Sequence, residues 1–237
     1  MQRAPKTYIA AFLVILVSAC GGGHDAAAPS SANFDLQAGI AKMVTNGLSA
    51  NVSLSGSVSV NGVSTPFTGV GTFNRAPAVS ATFNGTAAAS QMTTVAGTVT
   101  AAGQTTPYST SVTDYYASSD SAFLGEVSGS EYDVAQAPFS FPTMVVGGSS
   151  GILGTLSRYT DSTMSVSLGT AQVSYSVMAP VDPGSPIGVA LTTKIYDTQN
   201  TLTETDVTNY TMTSSNVISL SGASAQNQSG MLTITVQ

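Results

Sequence analysis

The sequence predicts an all-β protein: an antiparallel meander of two tandem repeats, forming a curved sheet, half-barrel or sandwich, with one short N-terminal helix. Three observations carry that expectation. Ser, Thr, Gly, Val and Ala dominate, whereas Lys, Glu and Leu, the common helix formers, are scarce. From Asn51 onward apolar residues recur at every second position, the period of a strand with one buried face. Turn signals such as Asn61-Gly62, Asn84-Gly85, Ala102-Gly103, Asp182-Pro183-Gly184 and Gln199-Asn200 punctuate those runs.

The chain has 237 residues, of which 42% are apolar and only 8% charged. That balance favours a folded chain over a disordered one, since disorder goes with low hydrophobicity and high charge. Arg3 and Lys6 open the sequence, and an apolar stretch runs from Tyr8 to Val17. The stretch falls short of the roughly 20 residues that a membrane-spanning helix needs, and fits a secretory signal peptide over 1–19. It ends in Val17-Ser18-Ala19-Cys20.

Charged start, apolar core and small-small-Cys together resemble the lipobox of bacterial lipoproteins. The resemblance implies cleavage before Cys20, diacylglycerol on its sulfur and acylation of the new amine, with palmitate as a label for the modification. Several acyl chains exceed the two signals that stable anchoring takes. Gly21 rather than Asp follows Cys20, and for that family this implies the outer membrane of the cell envelope. Val17, where Leu is more usual, is a small departure. As the only Cys, Cys20 leaves the fold without an internal disulfide.

Residues 20–32 read as the lipidated Cys and a flexible tether, rich in Gly and holding His24, the one histidine. The β domain is expected over 33–237. Asn33 is placed to cap a short helix whose apolar stripe is Leu36, Ile40 and Met43/Val44, and Gly47 stands where the helix should stop. Strands are then expected around Val52–Val60, Thr68–Phe73, Ala78–Phe83, Thr93–Val99, Ser109–Tyr116, Leu124–Val134, Met164–Leu168, Ala171–Val177, Gly188–Tyr196, Thr203–Met212, Val217–Leu220 and Met231–Val236. Gly147–Gly151 reads as a flexible connector.

The segments 52–146 and 152–237 read as repeats. Gly71-Thr72-Phe73-Asn74-Arg75 aligns with Gly154-Thr155-Leu156-Ser157-Arg158, and Tyr116, Glu126 and Tyr132 align with Tyr196, Glu204 and Tyr210. Arg75 and Arg158 are each expected to pair with an acid of their own repeat or to stack on an aromatic ring.

Beyond residue 20 only Lys42, Arg75, Arg158 and Lys194 are basic, against twelve acids. Nucleic-acid binding needs a positive field, so no nucleic-acid partner is expected. The β domain holds no His and no Cys, which excludes Ser-His-Asp and Cys-His catalysis and zinc sites of the His/Cys type. Neither a catalytic residue nor a cofactor is therefore assigned.

Carboxylates are the remaining reactive groups: Asp120, Glu126, Glu131 and Asp133, then Asp197, Glu204 and Asp206. Glu131 and Asp133 share one strand face, as do Glu204 and Asp206, which makes these four the candidate cation-binding residues. The simpler expectation is that acids on polar hairpins keep the sheet soluble and discourage edge pairing. The eight tyrosines from Tyr108 to Tyr210 could hold sugars or sit half-buried.

The functional expectation is a non-enzymatic envelope lipoprotein, held to the membrane through the Cys20 lipid, that binds a protein or glycan or plays a structural part. The alternative is a periplasmic carrier with a lipid or other apolar ligand in a half-barrel cavity.

Overall fold

The computed structural model describes residues 33–237 apart from 130 and 183. In chain order these form α1 (Leu36–Asn46), β1 (Leu48–Val60), β2 (Val63–Arg75), β3 (Val79–Phe83), β4 (Thr86–Ala101), β5 (Gln104–Ala117), β6 (Phe123–Ser128) and β7 (Glu131–Phe139). Then follow β8 (Ser150–Tyr159), β9 (Ser167–Met178), β10 (Ile187–Tyr196), β11 (Leu202–Met212), β12 (Ile218–Asn227) and β13 (Gly230–Val236).

Every strand pairs antiparallel with its neighbours, and β1 pairs with both β2 and β13, so the two ends of the meander meet. The result is a closed barrel of twelve strands, with β3 continuing the lane of β2 along β4. The half-barrel and the sandwich expected from sequence are thereby corrected. Closure gives every wall strand a partner on both sides and removes the exposed edge.

Alternation decides which face is inside. On β1, Val52 and Leu54 are buried while Asn51 and Ser55 are exposed. On β5, Asp114 and Tyr116 are buried while Ser109 and Ser111 are exposed. The outer wall is thus largely Ser, Thr and Asn, and the inward face carries the apolar core.

The helix plugs one end. Its N-cap is Asp35, whose carboxylate accepts from the Ala38 N–H at 2.8 Å, rather than Asn33. Leu36, Ile40, Met43 and Val44 are buried in the main core with Val52, Leu54 and Met212. Gly39 lets the helix approach β11 and β12, because a Cβ there would lie 2.8 Å from Met212 Sδ. Gly47 ends the helix at φ 74°, where a side chain would meet the Arg75 carbonyl. The apolar stripe is as expected, but it enters the mouth of a barrel instead of lying on a sheet face.

Gln91, with no exposed surface, ties that plug to the wall. Its Nε2 donates to the carbonyls of Met43 (2.9 Å), Val44 (3.2 Å) and Ala76 (2.9 Å). Met43 and Val44 lie in the last turn of the helix, where their carbonyls also accept from the Gly47 and Ala78 N–H groups. Gln91→Leu is expected to cost about 2–3 kcal/mol, since it takes the donor from the Ala76 carbonyl and the acceptor from Arg75 Nε while keeping the volume. Urea unfolding checks this; an unchanged midpoint would show that these groups find other partners.

Three strand expectations need correction. Leu124–Val134 is two strands, β6 and β7, turning at Gly129 with φ 58°. Met164 lies in a turn at φ 55°, so β9 begins only at Ser167. The expected connector ends two residues early, at Ser149, and Ser150–Tyr159 forms strand β8.

Candidate functional site: a charged lumen

Six of the eleven acids among the described residues turn inward. Asp114 on β5, Glu126 on β6, Glu131 and Asp133 on β7, and Glu204 and Asp206 on β11 are all buried or half-buried. Strand register lines several of them up. Gln91 stands opposite Asp114, Asp114 opposite Glu126, Glu126 opposite Asp133, and Asp133 opposite Arg158, across five consecutive strands. Three carboxylates in adjacent positions repel one another, which would destabilise a sheet left without compensation.

Two arginines compensate in part. The Arg75 guanidinium pairs with the Asp114 carboxylate, donates from Nη2 to the Tyr116 hydroxyl at 2.6 Å and from Nε to Gln91 Oε1 at 2.6 Å. Burial works against its charge, but Tyr116 and Asp114 outweigh burial and hold it firmly protonated. Arg158 donates from Nε to Asp133 Oδ2 at 3.1 Å and pairs with Glu131.

Arg75 therefore takes an acid of its own expected repeat, whereas Arg158 takes both of its acids from the preceding one. The two strands lie five steps apart around the barrel and so run in opposite directions. Arg75 consequently sits at the end plugged by the helix and Arg158 near the far end.

The acids remain under-compensated. Burial raises Glu126 and Asp206 well above the ordinary carboxylate range, with Asp133 adding to the effect on Glu126 and Glu204 adding to that on Asp206. Asp133 is pushed up to about 6 by burial, even against Arg158. Burial also raises Glu204 and Asp114. Asp133 Oδ1, Glu204 Oε1 and Asp206 Oδ1 are buried without any hydrogen-bond partner. Such atoms are uncommon in native proteins and each calls for a reason.

Inside the wall lies a cavity of about 170 Å³. Glu126, Asp206, Asp114 and Arg75 reach it, as do Tyr116 and Tyr210 and the rings of Phe73, Phe123, Phe139 and Phe141. Thr110, Val112, Leu191 and Thr193 also line it and keep part of their surface accessible. The lining is mixed, acidic and aromatic.

All four candidate cation-binding residues, Glu131, Asp133, Glu204 and Asp206, thus face the interior, from two strands on separate parts of the wall. Their placement corrects the simpler expectation that acids serve solubility on outer hairpins. Asp120 and Asp197 do serve turns: Asp120 accepts from the Ala122 N–H, and Asp197 from those of Gln199 and Thr201. Sequence reading missed Asp114, although its spacing with Thr110, Val112 and Tyr116 put it on the inward face.

The tyrosines divide likewise. Tyr116 and Tyr210 are core, while Tyr115 and Tyr132 on the outer wall stack on Phe83 with ring centroids 4.4 and 5.1 Å away. Cys20, the signal peptide and the tether lie outside the described residues. Among the described residues no helix is long and apolar enough to cross a membrane. Comparison with protein-family models, curated proteins and solved structures found no match to this chain.

Proposed function

We propose that the protein is a non-enzymatic lipoprotein of the bacterial envelope, anchored through Cys20, whose barrel holds a small ligand in its lumen. The observation that carries the binding role is the cavity itself, lined by ionisable groups and rings and flanked by buried oxygens that lack partners. A barrel built only for stability would fill its interior with side chains.

The anchor reading rests on the basic, apolar, small-small-Cys pattern of residues 1–20. The wall supports it as well. A membrane-spanning barrel carries apolar residues outward, and this wall carries Ser and Thr there. Attachment would then fall to the lipid. The cavity bears on the carrier alternative too: about 170 Å³ lies below the roughly 300 Å³ at which ligand pockets usually begin. A small polar ligand fits this space better than an acyl chain.

Two measurements test the proposal. Labelled palmitate is expected to enter the full chain and to be absent from the Cys20→Ser variant; equal labelling would overturn the anchor. Native mass spectrometry of the protein taken from the envelope is expected to show an additional small mass. A bare protein under conditions that preserve non-covalent complexes would count against lumenal binding.

A further inference from the structure

We propose that the lumen is selective for a small organic cation, a protonated amine on an apolar body, with its ammonium against Glu126 and Asp206 and its body against the rings of Phe73, Phe123 and Phe139. This rests on the lumenal-binding reading above and names the class of ligand.

Charge is the first argument. Among the described residues six carboxyl groups face inward against two arginines, and the protons that burial makes Glu126 and Asp206 hold are given up most readily beside a cation. Among the described residues the other two cations cannot help: Lys194 is exposed on β10, and Lys42 is spent on the Ser215 carbonyl at 2.6 Å. Any charged occupant that relieves this imbalance is positive.

The second argument is the unmet hydrogen bonding. Asp206 is 4% exposed and lines the cavity, and its Oδ1 has no donor except a proton shared with the Glu204 carboxyl beside it, which is 9% exposed. An ammonium brings three donors and no acceptor, the complement of acceptor-only carboxylates. Arg75 and Arg158 do not reach these atoms, because Asp114, Glu131 and Asp133 already engage them.

The third argument separates an amine from a bare ion. Among the described residues no three carboxylates converge closely enough to hold one metal ion. The cavity instead sets its acids beside aromatic rings. Ring faces attract cations and also cover an apolar body.

Isothermal titration of the full chain tests this with three probes: benzylammonium chloride, benzyl alcohol as its neutral counterpart, and calcium chloride. Benzylammonium is expected to bind one per chain, at least tenfold tighter than benzyl alcohol, and calcium is expected not to compete. The Glu126→Gln/Asp206→Asn variant keeps the shape and removes the charge. It is expected to lose at least tenfold in benzylammonium affinity while its melting temperature does not fall.

Equal binding of alcohol and amine would overturn the proposal, as would displacement of the amine by calcium, no binding by any probe, or undiminished amine binding by the variant. An envelope-derived protein that carries a neutral or anionic small mass would sink the cation assignment yet leave lumenal binding standing. A protein empty in both experiments would sink both.

Discussion

Arg75→Met is expected to destabilise the barrel by about 3–5 kcal/mol, the loss that follows when one partner of a buried ion pair is removed. The guanidinium is 9% exposed and engages Asp114, Tyr116 and Gln91 together. Met retains most of the side-chain length, so the lost packing is small. What remains is the Asp114 carboxylate beside Glu126 with no counter-ion, and a Gln91 oxygen with no donor.

Adding Asp114→Asn to Arg75→Met is expected to restore more than half of the loss, because the stranded charge goes with it. The two substitutions should be strongly non-additive, as members of one network are. Chemical denaturation of the two single variants and the double variant completes the cycle. An Arg75→Met midpoint equal to the parent's would show that the guanidinium network contributes nothing net.

Stability is also expected to fall as pH rises from about 4.5 to 8. Asp114, Glu126, Asp133, Glu204 and Asp206 all have folded-state pKa values raised above those of the unfolded chain, mainly by burial. Through that window the folded chain binds more protons than the unfolded one. The stabilisation from a raised carboxyl is complete below its unfolded pKa and is lost as pH climbs through the folded value.

Asp133, at about 6 against an ordinary 3.8, accounts on its own for on the order of 2 kcal/mol across this window. For a domain of this size that is roughly 4–8 °C in melting temperature. Calorimetry at pH 4.5, 6 and 8 checks the slope. A melting temperature that rises across the series would mean that the lumenal acids are compensated in a way their burial does not reveal. The Glu126→Gln/Asp206→Asn variant should flatten the profile, because it removes two of the groups that titrate.

How far the site was legible follows from what each signal encodes. Glu131 with Asp133, and Glu204 with Asp206, could be placed on common faces because alternation along one strand is a local property. That both faces point inward needed the wall to close. The row Gln91, Asp114, Glu126, Asp133 and Arg158 depends on register between five strands, set by turns and by irregularities between Tyr115 and Tyr116 and between Phe123 and Gly125. An irregularity shifts the parity of everything beyond it.

Strand β8 escaped notice for a different reason. Its Gly151 and Gly154 weaken the strand signal, yet each glycine makes room for a ring: Tyr175 packs at Gly151, and Phe139 lies where a Gly154 Cβ would be. The helix cap went to Asp35 rather than Asn33 because Phe34 is drawn into a bridge with Val145 across the barrel end.

The sequence by itself determined the all-β class, a short N-terminal helix with its apolar stripe, the alternation of faces along each strand, and the expectation of a lipid anchor at Cys20. These follow from composition and from periods of two and about 3.6, which need no knowledge of distant partners. Only the tertiary structure decided that β1 closes on β13, that the acids enclose a lumen, and that three of their oxygens lack outside donors there. Closure and burial arise from contacts between residues far apart in the chain, and a carboxylate's charge and bonding depend on those neighbours rather than on its place in the sequence.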